Sequence, residues 1–330
     1  MRVNTLVVGQ GIAGSLVAFM LHQQNISYMV VDPGYPNTAS KVAAGMFTPI
    51  SGKRKTIHEN VLQQISFAID TYKKIGELIG KNILHLENIY EISASAEEQN
   101  ILDKRSGEEK FEKYILHKPG KLPNIKQEFK SFEITNSGWV DCSLFINSFR
   151  DWLKQKDALI EEIFDYSALH INKDFIQYKN SEAENIIFCE GYSVSKNPFF
   201  LDENIIPCKG DVLTIEYKNF DTNYIVKKDS CYLVHSEKNM FKTGSTYQWN
   251  NNDKTLEESG RKEIESKLNA MLENEYTVIN HQSAIRPTTQ NREVIARRHT
   301  VDPRLFMLNG LGTKGILQGP WWAKYVVGLM

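Results

Sequence analysis

Four cysteines in 330 residues, Cys142, Cys189, Cys208 and Cys231, stand far apart, with no C-x-x-C pair and no histidine at metal-ligand spacing. That scatter excludes a zinc knuckle and a disulfide scaffold, and it points to the reduced thiols of a cytoplasmic protein. No window approaches 18 uninterrupted apolar residues, so no spanning helix and no membrane partner is expected. The N-terminus has one arginine and a short apolar run broken by Gly9, which reads as a strand and not as a signal sequence. Charge of one sign is missing too: 39 Lys and Arg against 40 Asp and Glu leave a net charge of −1. This gives no global pull toward nucleic acid or anionic membrane, although a local patch stays open. There is no internal repeat and no low-complexity linker. What remains is 41% hydrophobic and 24% charged, an ordinary globule long enough for one large or two medium domains.

The most informative stretch is Thr5-Leu6-Val7-Val8-Gly9-Gln10-Gly11-Ile12-Ala13-Gly14. An apolar run of strand character ends in G-x-G-x-x-G, and a helix-forming stretch follows from Ser15 to Gln24. Gly9 permits the turn, Gly11 lets backbone approach a pyrophosphate, and Gly14 lets helix pack on strand; the free N–H groups of Ile12 and Ala13 then face the phosphate. Eighteen residues beyond Gly14, the strand Tyr28-Met29-Val30-Val31 closes on Asp32, the carboxylate expected on a ribose hydroxyl.

Further on, Ser40-Lys41-Val42-Ala43-Ala44-Gly45-Met46 crowds small residues beside the phosphate site, suiting either an extended ligand laid on backbone or a close-packed helix start. Apolar positions Val61, Ile65, Ala68, Tyr72, Ile75 and Ile79 recur by four and three, which predicts a long amphipathic helix from Glu59 to Gly80. Short strands at 89–92 and 132–134 flank a charged stretch from Glu97 to Lys113. Asp141 is placed to cap a helix bearing Phe145, Phe149 and Trp152. Strands follow at 159–164 and 185–189, the latter running into Glu190-Gly191, where backbone or ligand approaches closely. From Ile205 to His281 the pattern is mostly antiparallel sheet, interrupted by one helix that the capping box Thr255-Leu256-Glu257-Glu258 opens and that buries Ile264, Leu268 and Met271.

The chain closes with the strand Leu305-Phe306-Met307-Leu308, a second glycine loop from Gly310 to Gly315, and a terminal helix from about Ile316. The expected fold class is α/β, an FAD-binding Rossmann-like domain with a discontinuous second domain dominated by antiparallel sheet. Residues 1–82, 138–204 and 284–330 form the first, and 83–137 and 205–283 form the second. A nicotinamide dehydrogenase explains the first glycine loop but not the last. FAD explains both, because a second helix N-terminus at the ring's N1 and O2 edge stabilises the negative charge gathered there on reduction.

These segments give the chain a family likeness. It resembles the FAD-dependent D-amino acid oxidase superfamily, closest in pattern to glycine oxidase and to the oxidase domain of the bacterial enzyme that processes 5-aminomethyl-type wobble uridines in tRNA. The resemblance runs nearly end to end. It rests on Gly9 to Gly14 with Asp32, Ala43 to Met46, Gly138 to Asp141, Cys189 to Gly191, Lys209 to Asp211, Gly244 to Thr246, Ile285 to Thr288, and Gly310 to Gly315 before Pro320. It implies that Ser40 and Lys41 contact the diphosphate and ring, and that Ala44, Gly45 and Met46 lie under the isoalloxazine. Ile163 or Phe164 would meet adenine through backbone. Gly191, Gly310, Gly312, Thr313, Lys314, Gly315 and Ile316 would complete the cofactor site. Arg286 matches the arginine that clamps a substrate carboxylate, a task suited to a bidentate guanidinium; an ordinary strand-end ion pair is the plain alternative. Tyr232 falls where glycine oxidase has an active-site tyrosine, and a core tyrosine fits as well.

Several departures stand out. Asn291 and Arg292 occupy the place where many members have Asp. The last loop reads Gly-Leu-Gly-Thr-Lys-Gly and not Gly-His-Gly, and no methyltransferase half is present. No cysteine lies near Pro287, so FAD is expected to be non-covalent.

The leading expectation is oxidation of a small-molecule amine, an amino acid or N-substituted glycine, by hydride transfer to flavin N5, with no acid or base required if the free amine binds. One alternative is an oxidase acting on a modified tRNA base, using Lys53-Arg54-Lys55 with Arg292, Arg297, Arg298 and Arg304 as a basic rim. Another is a flavoprotein that only relays electrons. Oligomeric state is not legible.

Overall fold

The computed structural model describes every residue except 119, 202, 219, 221 and 222. Seven α-helices occur among the described residues: α1 Ile12–Gln23, α2 Ala39–Val42, α3 Val61–Ile79, α4 Ala96–Ser106, α5 Cys142–Gln155, α6 Glu258–Met271 and α7 Gly315–Val327.

One eight-stranded sheet is built around the parallel strands Arg2–Val8, Tyr28–Val31, Leu159–Ile160, Ser181–Phe188 and Leu305–Asn309. Alternation splits each of these strands between two cores. Val7, Val30, Ile187 and Phe306 face α1, α5 and α7. Leu6, Val31, Phe188 and Met307 face the opposite side, where Leu169, Ile176 and Tyr178 of short antiparallel strands cover them. The register aligns Val8 with both Val31 and Phe188, and Phe188 with Met307. The strands therefore finish along one edge, and a crevice opens beyond their carboxyl ends.

A nine-stranded sheet forms the other wall. Its longest strands, Ile205–Glu216 and Thr277–Thr289, pair antiparallel, and α6 covers its outer face with Ile264, Leu268 and Met271 packed on Leu213, Ile215 and Phe241. The sheet is antiparallel apart from one pair, Ile225–Lys228 beside Ile89–Ile92, which run parallel and join the two chain excursions. A three-stranded sheet, Met46–Phe47, Gly138–Val140 and Leu84–His85, lies between the two larger ones in sequence.

The cap at Asp141 forms as expected, its carboxylate accepting from Leu144 N–H at 3.0 Å. The capping box at 255–258 does not. The Thr255 hydroxyl donates instead to Asp253 at 2.7 Å, and Glu257, the N-cap residue, makes no side-chain cap bond and pairs with Lys209 Nζ at 2.7 Å. The charged stretch after residue 95 folds as α4, with Ser95 accepting from Glu98 N–H at 3.2 Å and only Leu102 buried. The strand expected over 159–164 stops at Ile160.

Helix α7 contains Pro320, which has no N–H for the carbonyl four residues back, at Ile316. The hydroxyl of the fully buried Tyr72 donates to that carbonyl at 3.0 Å. Gly319 meets α1 closely: a Cβ there would lie 2.7 Å from Leu16 Cδ1. All four cysteines are free and buried. No helix among the described residues is long and apolar enough to cross a membrane.

Candidate cofactor and substrate site

Between the two large sheets runs one continuous cavity of about 420 Å³. The first glycine loop forms one end, held at atomic contact. A Cβ on Gly9, whose φ is +95°, would sit 2.5 Å from the Cys189 carbonyl oxygen, and one on Gly14 would sit 1.8 Å from the Gly9 carbonyl oxygen. Neither obstacle can move, since both are backbone. Gly11 caps α1 without a side-chain bond, leaving the helix N-terminus to face the cavity. The Ser40 hydroxyl, on α2, accepts from Ile12 N–H at 2.9 Å and so reaches the same spot. The far end is made by Gly312, Thr313, Gly315 and Ile316, where α7 also begins without a side-chain cap.

Asp32 lines the cavity but is already heavily engaged. Its carboxylate accepts from Gln10 N–H at 2.8 Å, Gly34 N–H at 2.7 Å and Arg150 Nη1 at 2.8 Å. Arg150 comes from the buried face of α5 and also bonds the Asp32 carbonyl oxygen at 2.9 Å and Glu161 at 3.1 Å. Sequence reasoning missed it. The available signal was an arginine one turn from Ile146 and next to Phe149 on an otherwise apolar stripe. Glu190 was missed as well. It lines the cavity, accepting hydrogen bonds from Tyr166 and from Asn197 Nδ2, the latter at 2.8 Å. Burial pushes its carboxyl above the usual carboxylate range, against the pull of those two donors.

Arg286 enters from the wall formed by Thr277–Thr289. It stands opposite Cys208 in the register, and its guanidinium lies flat over Gly210, where a Cβ would be only 2.1 Å from Nη1. The Tyr247 ring faces the guanidinium carbon, 4.6 Å from its centroid, and Nη1 donates to the Thr246 carbonyl at 3.2 Å. No carboxylate pairs with it among the described residues. Its place in the cavity is therefore that of a held cation facing open space and not of a strand-end ion pair. Tyr232 lines the same space, and burial holds its phenol well above its ordinary pKa despite the opposing charge of Arg286. It can donate a hydrogen bond but is no base.

The sequence pattern of one family, described as FAD dependent oxidoreductase (DAO), matches residues 4–329. The chain belongs to that family. It is 23% identical to glycine oxidase of Bacillus subtilis (strain 168) over 342 aligned positions, covering 96% of this chain and 90% of the relative. Its fold matches a glycine oxidase structure from Geobacillus kaustophilus with a TM-score of 0.81 at 19% identity, over 99% of this chain and 94% of that one. An iminodiacetate oxidase from Chelativorans sp. BNC1 matches with a TM-score of 0.81 at 18% identity, over 99% and 95%. The parallel sheet is thus the Rossmann-like FAD-binding part of a DAO fold.

FAD is the family's cofactor, and the residues fit it. Two helix N-termini without side-chain caps, far apart in sequence, converge on one elongated cavity whose floor at Gly9 and Gly11 excludes any side chain. Of the residues expected to hold the cofactor, Gly9, Gly11, Ile12, Ala13, Asp32, Ser40, Ala44, Gly45, Met46, Ile163, Gly191, Gly312, Thr313, Gly315 and Ile316 line the cavity. Four do not. Gly14 acts by packing on Gly9. Lys41 turns away to the Tyr35 carbonyl at 3.0 Å. Gly310 faces Thr289 and Glu293. Lys314 contributes the N-cap position of α7 while its amine, lowered by burial and by Arg292, lies off the cavity.

The basic rim also fails in part. Lys55 is buried against Glu91 and Glu98, each at 2.6 Å, Arg297 pairs with Glu203, and Arg304 pairs with Asp302 at 2.7 Å. Asn291 bonds Glu293 on the surface, outside the cavity.

Proposed function

We propose that this enzyme oxidises the C–N bond of an α-amino acid or N-substituted glycine, binding the substrate carboxylate through Arg286. The observation that carries the reading is a guanidinium in the cofactor cavity, held by a hydrogen bond to the Thr246 carbonyl and with no acidic partner among the described residues. Its remaining N–H groups are available for a bidentate carboxylate. Tyr232 supplies a neutral hydroxyl beside it.

Held non-covalently between the two glycine loops, FAD would supply the two-electron acceptor for hydride transfer from the substrate carbon. No histidine lines the cavity among the described residues, and its two carboxylates, Asp32 and Glu190, are committed to partners. No histidine and no uncommitted carboxylate is placed to take a proton among the described lining residues, which supports binding of the free amine. Residues 1–82, 138–204 and 284–330 hold the cofactor in this reading, while 83–137 and 205–283 present the substrate together with Arg286, whose strand Thr277–Thr289 continues the second sheet past that boundary. The names of the glycine and iminodiacetate oxidases support small amino acids and N-carboxymethyl amines as the first compounds to try.

The test is anaerobic addition of glycine, sarcosine and iminodiacetate to the purified holoenzyme, followed by its visible flavin band. Bleaching by at least one, with Arg286→Ala losing about three orders of magnitude in kcat/KM, is expected for a charge-assisted bidentate pair. An unbleached band with every amine, or turnover unchanged in Arg286→Ala, overturns the proposal.

A further inference from the structure

The outer face of the strand Ile205–Glu216, turned away from the cavity, holds an ionic cluster that the reading above does not use. Side chains alternate along this strand. Gly210 lies inward beneath the Arg286 guanidinium, while Lys209 and Asp211, both fully buried, take other directions. Lys209 Nζ is accounted for, donating to the Thr255 carbonyl at 2.6 Å and to Glu257 at 2.7 Å, which anchors the segment leading into α6.

Asp211 has a different set of partners. Its Oδ1 accepts from His281 Nε2 at 2.9 Å, since a carboxylate oxygen can only accept. Its Oδ2 accepts from the Thr246 hydroxyl at 2.8 Å, and its own backbone N–H donates to that same hydroxyl oxygen at 2.9 Å. Thr246 is thereby clamped by both ends of one residue. On the α6 side there is no slack, because a Cβ on Gly260 would lie 2.4 Å from Oδ2. A fully buried carboxylate is costly unless each oxygen is satisfied, so this arrangement fixes Thr246 strongly.

Thr246 matters because its carbonyl accepts a hydrogen bond from the Arg286 guanidinium, from Nη1 at 3.2 Å. We propose that Asp211 is a positioning residue for Arg286, acting through Thr246: the buried carboxylate sets the carbonyl that aims the guanidinium across Gly210 into the cavity. His281 completes the unit by holding the second carboxylate oxygen, so that Asp211 stays turned toward Thr246. Tyr247, the next residue, is carried by the same clamp and lays its ring on the guanidinium. The unit thus fixes two of the three surfaces that confine Arg286. It lies on the face of the strand opposite the one lining the cavity, so it touches neither substrate nor flavin. The inference rests on Arg286 being the carboxylate anchor.

The experiment compares Thr246→Val, Thr246→Ser and Asp211→Asn as holoenzymes. Valine keeps the shape of threonine and removes the hydroxyl, serine keeps the hydroxyl, and asparagine sets an amide N–H against one of the two donors. The readout is the Kd of acetate, used as a carboxylate that is not oxidised, from its perturbation of the flavin spectrum. KM and kcat for the best amine and the Kd of FAD are measured alongside. Losing a buried hydrogen bond to a charged group predicts about a tenfold rise in acetate Kd and in KM for Thr246→Val and Asp211→Asn. FAD affinity and kcat should stay within about threefold of the parent, and Thr246→Ser should restore acetate binding to within about threefold.

If Asp211→Asn does not fold, the valine and serine pair decides alone. Unchanged acetate binding in Thr246→Val, an equal loss of FAD and acetate affinity, or no rescue by serine overturns the inference. Acetate binding unaffected by Arg286→Ala instead overturns the anchor reading, and the two failures are distinct.

Discussion

The Tyr72 hydroxyl donates to the Ile316 carbonyl at 3.0 Å, filling the acceptor that Pro320 leaves without its helical partner. A long helix of the first hundred residues is thus bonded to the first turn of the last helix, the turn that forms the far end of the cofactor cavity. Tyr72→Phe should leave a buried carbonyl unpaired and cost about 1–3 kcal/mol. Urea unfolding of parent and variant checks this; a difference under about 0.5 kcal/mol means that the carbonyl finds another donor.

Arg150 neutralises the carboxylate at the end of the second strand. Arg150→Met removes one partner of a partly buried pair and exposes Asp32 to Glu161 across the gap. The expected result is a rise of about ten- to a hundredfold in the FAD Kd, measured by flavin fluorescence on titrating apoprotein, with about 2–3 kcal/mol of stability lost. FAD affinity within twofold of the parent would show that Asp32 holds its place without it.

The glycines of the two loops separate by substitution. Gly14→Ala puts a Cβ 1.8 Å from backbone, so the purified variant should be colourless or insoluble. Gly312, at φ +52°, has nothing nearer than 3.5 Å to its Cβ position. Gly312→Ala should therefore cost only the left-handed backbone, about 1–2 kcal/mol, and still bind FAD. Equal behaviour of the two variants would contradict the packing.

Acid should act through Glu91. Burial raises its carboxyl, but Lys227 at 2.5 Å and Lys55 at 2.6 Å outweigh that and bring it down to about 2. A folded value below the unfolded one of 4.5 stabilises the protein above pH 4.5, and that contribution disappears as pH falls from about 4.5 to 2. It amounts to about 3 kcal/mol. Unfolding followed from pH 7 to 2 should show Glu91→Gln less stable at neutral pH and flatter on the acid limb; parallel acid limbs would exclude this source.

Local signals served well where one chemistry permits one geometry. The turn at Gly9 to Gly14, the cap at Asp141 and the period of α3 were legible because each depends on neighbours within a few residues. Arg286 was legible only through the family likeness, and its confinement by Gly210, Thr246 and Tyr247 was not. Gly210 reaches it from the neighbouring strand, and Thr246 and Tyr247 from the loop after Met240–Gly244, a placement that sequence spacing cannot give. Lys55 shows the converse: within a run of three bases it looks like surface, yet Glu91 and Glu98 draw it inside. The capping box at 255–258 failed because the Thr255 hydroxyl goes to Asp253 and the helix starts later, at Glu258.

The parallel pair in the nine-stranded sheet has a consequence for biosynthesis. Glu91 and Lys227, neighbours across it, are 136 residues apart in the chain. At about 5–20 residues per second, the strand Ile89–Ile92 waits roughly seven to twenty-seven seconds for its neighbour to be synthesised. During that interval one edge of an apolar strand is open to any other strand. The ionic partners gathered around Glu91 make a wrong neighbour costly, since a strand lacking a lysine at that register would leave the buried carboxylate to Lys55 without Lys227.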